Sequence, residues 1–326
     1  MKHFGRLAAF CGLAIATWLV WRSHPLTIFR LLQAAGVGLL AAAFAHVLSM
    51  LPNAWDWRSL IRPAQRPRFT TMLKLVWIRE SVNGLLPVAR IGGEIVSFRL
   101  LCRLDVRPST AAASLVVDLQ LTVISQLLFA LAAFAYLLGQ TSSDAARLAG
   151  ELAWGITIAT PVLLLFALVQ HARPFERAAK SLNRIASGKL YELIGRSARV
   201  DQSIKLTWRR TWIVIRYLFL WQPLQFAGFA FEIWLALRVL GADVSFVQAL
   251  VIEALIQLVS SAAFLMPAGL GIQEGGFVLI GGMLGFDAET CLALAGARRI
   301  RDLLFYVPGL IVWQAAEFSP DSSRSA

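Results

Sequence analysis

Two carboxylates stand where an otherwise apolar chain is interrupted. Glu94 and Glu274 each lie seven positions after a proline, Pro87 and Pro267, and each proline lies six positions after a serine, Ser81 and Ser261. The two motifs therefore repeat at an offset of 180 residues, with Gly92 and Gly93 beside the first carboxylate and Gly269 and Gly271 beside the second. Proline removes a backbone donor and glycine is a poor helix former, so a broken helix is predicted at each place. Lipid cannot satisfy the freed backbone groups. A break at membrane depth must be buried in protein or line a wet cavity, where transporters hold substrates and ions. An ionisable group there is costly and usually functional, which marks Glu94 and Glu274 as candidate proton or cation sites. The plainer reading is a carboxylate placed near the unpaired N–H groups of a new helix, a gain of about 0.3–1 kcal/mol with no further role.

The second chemical cluster is Arg298, Arg299, Arg301 and Asp302, inside the last long apolar stretch. At 1.5 Å per residue the arginines lie about 12–17 Å from its start, too deep for easy snorkelling. Arg298 shares a helix face with Arg301 and with Asp302. Planar guanidinium forks suit phosphate or carboxylate, so these arginines are candidates to contact an anionic head group. The competing reading is a structural ion-pair network with Asp118, Glu232 or Glu274. Arg90, within the first break, fits either part, and Asn83 is placed to cap freed backbone groups. The sequence has no HExxH pair, Walker glycine loop, GxSxG elbow or aspartate pair suited to metal-dependent glycosyl transfer. No enzyme, metal or cofactor is therefore expected. Cys11, Cys102 and Cys291 are isolated and imply neither zinc nor a disulfide framework.

These groups need an apolar scaffold. With 58% hydrophobic residues and a mean hydropathy of +0.65, the chain belongs to the polytopic membrane class. The net charge of +12 reflects basic loops between spans rather than nucleic-acid binding. Lys2 and Arg6 before the apolar run 7–20 imitate a signal peptide, but Trp18, Trp21 and Arg22 spoil a cleavage site, so an uncleaved first span is expected at 4–21. Further spans are expected at 31–51, 111–138, 152–170, 212–237 and 290–315. His46, in the second of these, reads as packed or hydrogen-bonded. Residues 52–71 read as an interfacial loop, 171–210 as a basic surface segment and 317–326 as a disordered tail.

The expected architecture is all-α and polytopic, with about six full transmembrane helices and two re-entrant broken-helix hairpins. The hairpins occupy roughly 72–101 and 246–285, within repeats 1–138 and 139–316 of inverted orientation. Ordinary spans at 246–266 and 275–297 are the alternative topology. The distribution of basic residues favours cytoplasmic termini.

NGLLPVARIGGE at 83–94, FLMPAGLGIQEGG at 264–276 and RRIRDLLFYVPG at 298–309 resemble the transmembrane-region family of lysylphosphatidylglycerol synthase. Within it, the chain is similar to the hopanoid-biosynthesis-associated branch. The resemblance implies an integral protein of the bacterial inner membrane, with re-entrant helices, that handles or translocates lipid. The aminoacyl-transferase domain of the synthase is not in this sequence, so lysyl transfer is not expected. Three functions follow as expectations: a flippase-like lipid translocator, an enzyme modifying a polyprenyl or hopanoid lipid, and a scaffold for lipid-biosynthesis enzymes. The expected partners are membrane lipids, including those with anionic head groups; a homodimer and lipid-biosynthesis enzymes are further candidates.

Overall fold

The computed structural model describes residue 21 and residues 25–86, 92–139, 191–262 and 271–318. Pro87, Arg90, Pro267 and Gly269 lie outside the described residues, as do the expected span 152–170, most of 4–21 and 171–190, and the tail beyond 318. Every described element is helical, and no strand occurs among the described residues.

Helix α1, Pro25–Ala45, begins on a proline, whose missing N–H is no loss at a helix start, and is kinked at Gly36, where the backbone leaves helical geometry (φ 45°, ψ −125°). It starts before the expected span at 31–51 and takes in Arg30. The chain pauses at His46, where His46 N–H donates to Ala43 O at 3.0 Å and Ser49 N–H to His46 O at 3.1 Å. Helix α2, Val47–Leu60, then runs straight through Pro52. This corrects the expected loop at 52–71, which is confined to the residues after Leu60. Ala54, Trp57 and Leu60 are at most 1% exposed, so this part of α2 is closely packed against its neighbours, and packing is what drives helix association in a membrane. Those contacts offset the cost of an interior proline, about 3 kcal/mol.

After a 3₁₀ turn at Pro63–Gln65, α3 spans Phe69–Leu85 and stops with Leu86 extended at φ −92°, ψ 143°. That conformation is the one a following proline favours. Next come α4, Gly92–Arg103, α5, Pro108–Gly139, and α6, Tyr191–Trp208. Helix α7, Thr211–Arg216, passes through a π-helical turn at Tyr217–Trp221 into α8, Gln222–Val239. The last three are α9, Phe246–Ala262, α10, Ile272–Met283, and α11, Ala288–Phe318. Glu317 is still helical in α11 and pairs with Arg99 and Arg103 of α4, which corrects the start of the expected tail.

Two stretches, Leu26–Leu60 and Pro108–Gly139, are long and apolar enough to cross a membrane, with mean hydropathies of 1.9 and 2.1. Phe29, Val37 and Phe44 on α1, Leu128 and Leu131 on α5, and Leu303 and Ile311 on α11 are exposed. So much outward apolar surface suits a lipid solvent. By contrast α3 and α9 have 17 residues each, and α4 and α10 have 12 each. At 1.5 Å per residue these are about 25 and 18 Å long, short of the roughly 30 Å hydrocarbon layer.

The two halves share a plan. Helices α4 and α10 start 180 residues apart, as do α5 and α11. The turns between them also match: Val106 N–H donates to Leu101 O, and Phe286 N–H to Gly281 O, with left-handed backbone at Asp105 (φ 59°) and Gly285 (φ 88°). The halves interlock, since α3 packs on α11 and α9 packs on α5, while α2 and α8 pack on each other at the centre.

The α2–α8 crossing depends on a glycine. A Cβ at Gly228 would lie 2.8 Å from Ser49 N and 2.9 Å from Ser49 Cα, and backbone cannot rotate aside. Alanine normally gains about 1 kcal/mol over glycine inside a helix, but overpacking costs about 1–3 kcal/mol. Gly228→Ala should therefore lower the unfolding temperature in detergent. Gly282→Ala, whose Cβ would meet nothing within 4 Å, should not.

Candidate functional site

Helix α11 carries its charges into the middle of the bundle, and each arginine meets a carboxylate from a different helix. Arg298 reaches Glu253 of α9 at 3.1 Å. Arg299 donates to Glu274 Oε1 of α10 from Nε and from its terminal nitrogen, at 3.0 and 2.8 Å. Arg301 holds both oxygens of Glu232 on α8, at 2.7 and 2.9 Å, and also contacts neighbouring Asp302. The face-sharing of Arg298 and Arg301 expected from helical periodicity is present, but their counter-charges come from different helices.

The network continues into the first half through His46. Its Nδ1 lies 3.0 Å from Glu232 Oε2, and its Nε2 lies 3.2 Å from Glu80 Oε2 on α3. Asn53 Nδ2 donates to Glu80 Oε1 at 3.2 Å, and Arg79 bridges Asn53 Oδ1 at 2.8 Å and Asp118 Oδ2 at 2.6 Å. Asp118 in turn accepts from the Tyr217 hydroxyl at 2.7 Å. Polar side chains are thus continuous from Arg301 on α11 to the π turn. Burying one such group without a partner would cost several kcal/mol, so a chain of matched partners is what permits charge at this depth.

Position 46 is chemically distinctive. Nδ1 faces both Glu232 Oε2 and, at 3.2 Å, a terminal nitrogen of Arg301. A protonated Nδ1 donates to Glu232, and a deprotonated one accepts from Arg301, while Nε2–H donates to Glu80 in either case. The ring can gain or lose one proton without stranding itself. Around it, four guanidinium groups (Arg79, Arg298, Arg299 and Arg301) face six carboxylates (Glu80, Asp118, Glu232, Glu253, Glu274 and Asp302).

Of the residues marked by sequence, Arg298, Arg299, Arg301, Asp302, Glu232 and Glu274 come together. Glu274 also accepts the Gly271 N–H at 2.7 Å, so its helix-start and ion-pair roles coexist. Gly271 itself adopts φ 77°, a conformation that glycine accepts without strain. Glu94 is elsewhere, held by Asn83 Nδ2 at 3.1 and 3.2 Å, while Asn83 Oδ1 accepts the Gly93 N–H at 2.8 Å. Gly93 must lack a side chain because a Cβ there would collide with Arg79 O. Gly92 opens α4. Asp118, expected beside the deep arginines of α11, pairs with Arg79 instead, because α5 presents that turn to α3.

Sequence reading passed over Arg79, Glu80, Glu253, Asn53 and Tyr217. Glu253 had a usable signal, being the sole charged residue between 244 and 273.

The family described as the lysylphosphatidylglycerol synthase TM region matches this chain over residues 9–309. No curated protein and no solved structure matches the chain.

Proposed function

Because the chain belongs to the lysylphosphatidylglycerol synthase transmembrane-region family, a membrane family that handles lipids, we propose that it is a flippase-like transporter. It moves a lipid or lipid-linked substrate, with a hopanoid-related molecule as one candidate class, between the leaflets of the bacterial inner membrane. In this reading α3–α4 and α9–α10 are re-entrant hairpins entering from opposite faces within about six full spans, and both termini are cytoplasmic. The protein carries no catalysis of its own.

The observation that carries the proposal is the buried charge network, which joins the two halves through Arg301, Glu232, His46 and Glu80. It ties together elements that alternating access must move apart, so its ion pairs act as the gate. Its excess of carboxylates suits a proton or cation as coupling partner. Glu274 occupies the end of this gate, and Glu94 the matching position in the other half.

The test is translocation of a fluorescent phospholipid by the purified protein in liposomes. Movement above that of protein-free vesicles is expected, and Glu274→Gln should slow it by about tenfold, equivalent to about 1.4 kcal/mol in the barrier. The glutamine can still accept the Gly271 N–H, so folding should persist. A rate equal to that of empty vesicles would remove the transport reading, and undiminished rates in both Glu94→Gln and Glu274→Gln would remove these carboxylates from it.

A further inference from the structure

Away from the charge network, a cavity of about 190 Å³ opens between the end of α2, the connection that follows it, and the α7–π segment. Its walls include Trp55, Arg58, Ser59, Arg66, Arg216 and Trp221. We propose that this cavity binds a phosphate group, held by the guanidinium groups of Arg58, Arg66 and Arg216 over a floor of stacked tryptophans.

Among the described residues the cations here lack counter-charges. None of Arg58, Arg66 and Arg216 forms an ion pair with a carboxylate among the described residues. The nearest acid in sequence, Asp56, is turned into the core, where Gln222 Nε2 donates to it at 3.0 Å. Arg58 spends its Nε on Pro67 O at 2.8 Å, and Arg66 is tied to Ile61 O and Ser59 O, both at 2.9 Å. Those contacts fix the two side chains and leave further N–H donors available. Like charges crowd the spot: burial and the guanidinium groups of Arg210 and Arg58 lower the Arg66 pKa, and burial and Arg62 lower that of Arg210. An unneutralised cluster of this kind is stabilised by an anion, and guanidinium forks match phosphate.

The backbone is shaped to the same end. Five residues along an α-helix rotate about 500°, which would put Arg216 and Trp221 on different faces. The π turn between them, closed by the Gln222 N–H on Tyr217 O, restores their alignment, and the Arg216 guanidinium lies 5.8 Å from the Trp221 ring centroid. Trp221 stacks on Trp55 with centroids 6.0 Å apart and planes within 7°, and Arg58 lies over Trp55 at 5.5 Å. Single-turn π segments of this kind often mark functional sites. The volume is about six times the roughly 30 Å³ that one water occupies in the liquid, and below the roughly 300 Å³ at which drug-sized pockets begin. It takes a phosphate with a small substituent, while any acyl chains remain outside. The mixture of arginine and tryptophan beside exposed Trp212 and Phe219 is that of a membrane–water interface.

The source of the phosphate is either a lipid head group or a soluble ion, and binding to the full-length protein in neutral detergent separates them. Inorganic phosphate and short-chain phosphatidylglycerol are each titrated while the thermal unfolding midpoint is followed. Saturable stabilisation is expected, with the lipid binding more tightly and phosphate competing with it. Stabilisation by inorganic phosphate alone would keep the site and assign it a soluble ligand. Arg216→Gln, which disturbs no hydrogen bond in the cavity wall, should weaken either probe roughly tenfold, and Arg58→Gln should do the same. Failure of both probes to bind, or parent-like affinity in both variants, would overturn the proposal. Equilibrium binding is read without any transport step, so a negative flipping assay leaves this result standing.

Discussion

Arg301→Met is expected to destabilise the protein by about 3–5 kcal/mol, the cost of breaking a buried ion pair on one side only. Arg301 is 4% exposed and supplies Glu232 with two of its contacts. Its removal leaves Glu232 dependent on His46, and leaves Asp302 with Arg299 at 3.8 Å. The pair as a unit has a different value. Continuum and mutational arguments agree that exchanging both members of a buried pair for apolar side chains of similar size can be neutral or better. The double variant Glu232→Met, Arg301→Met should therefore be less destabilised than Arg301→Met alone. Thermal or denaturant unfolding in detergent measures both. If Arg301→Met unfolds within about 1 kcal/mol of the parent, inside the range typical of exposed pairs, the network does not hold the two halves together. A double variant that is stable but transport-dead would show that these charges serve movement rather than folding.

Much of this site was visible in the sequence, and what was not has a physical reason. The backbone breaks are local chemistry: Leu86 is extended ahead of Pro87, and Gly271 takes a positive φ. The repeat spacing was equally legible, and the starts of α4 and α10 keep it to the residue. Deep charges such as Arg298, Arg299 and Arg301 announce themselves because few side chains are so costly in an apolar run. Their partners do not, since pairing is decided by which helices cross. Glu253 of α9 answers Arg298 of α11, and Arg79 of α3 rather than an α11 arginine answers Asp118 of α5, pairings between separate helices that periodicity within one helix does not reveal. Pro52 misled for a related reason: its local cost is offset by the packing around Trp57 and Leu60, which no local signal reveals. The π turn at Tyr217–Trp221 likewise has no sequence signature; its consequence is the alignment of Arg216 with Trp221.

On the proposed transport reading, His46→Gln is expected to abolish the pH dependence of lipid movement while leaving the protein folded. Two of the network's carboxylates touch the ring, yet neither depends on it: Glu232 keeps Arg301, and Glu80 keeps Asn53. Glutamine is of similar reach and can donate and accept, but it cannot titrate. If opening the gate requires His46 to exchange its contact between Glu232 and Arg301, a proton must arrive or leave each time the halves separate. Transport by the parent protein should then change with pH, histidine being the side chain suited to such a switch. The Gln variant should show a flat profile with an unfolding temperature close to the parent's. Liposome assays at matched inside and outside pH, repeated with an imposed gradient, make the comparison. An unaltered profile in the variant would assign the proton to a carboxylate, with Glu274 the first to examine, since Glu274→Gln would then be the substitution that flattens it.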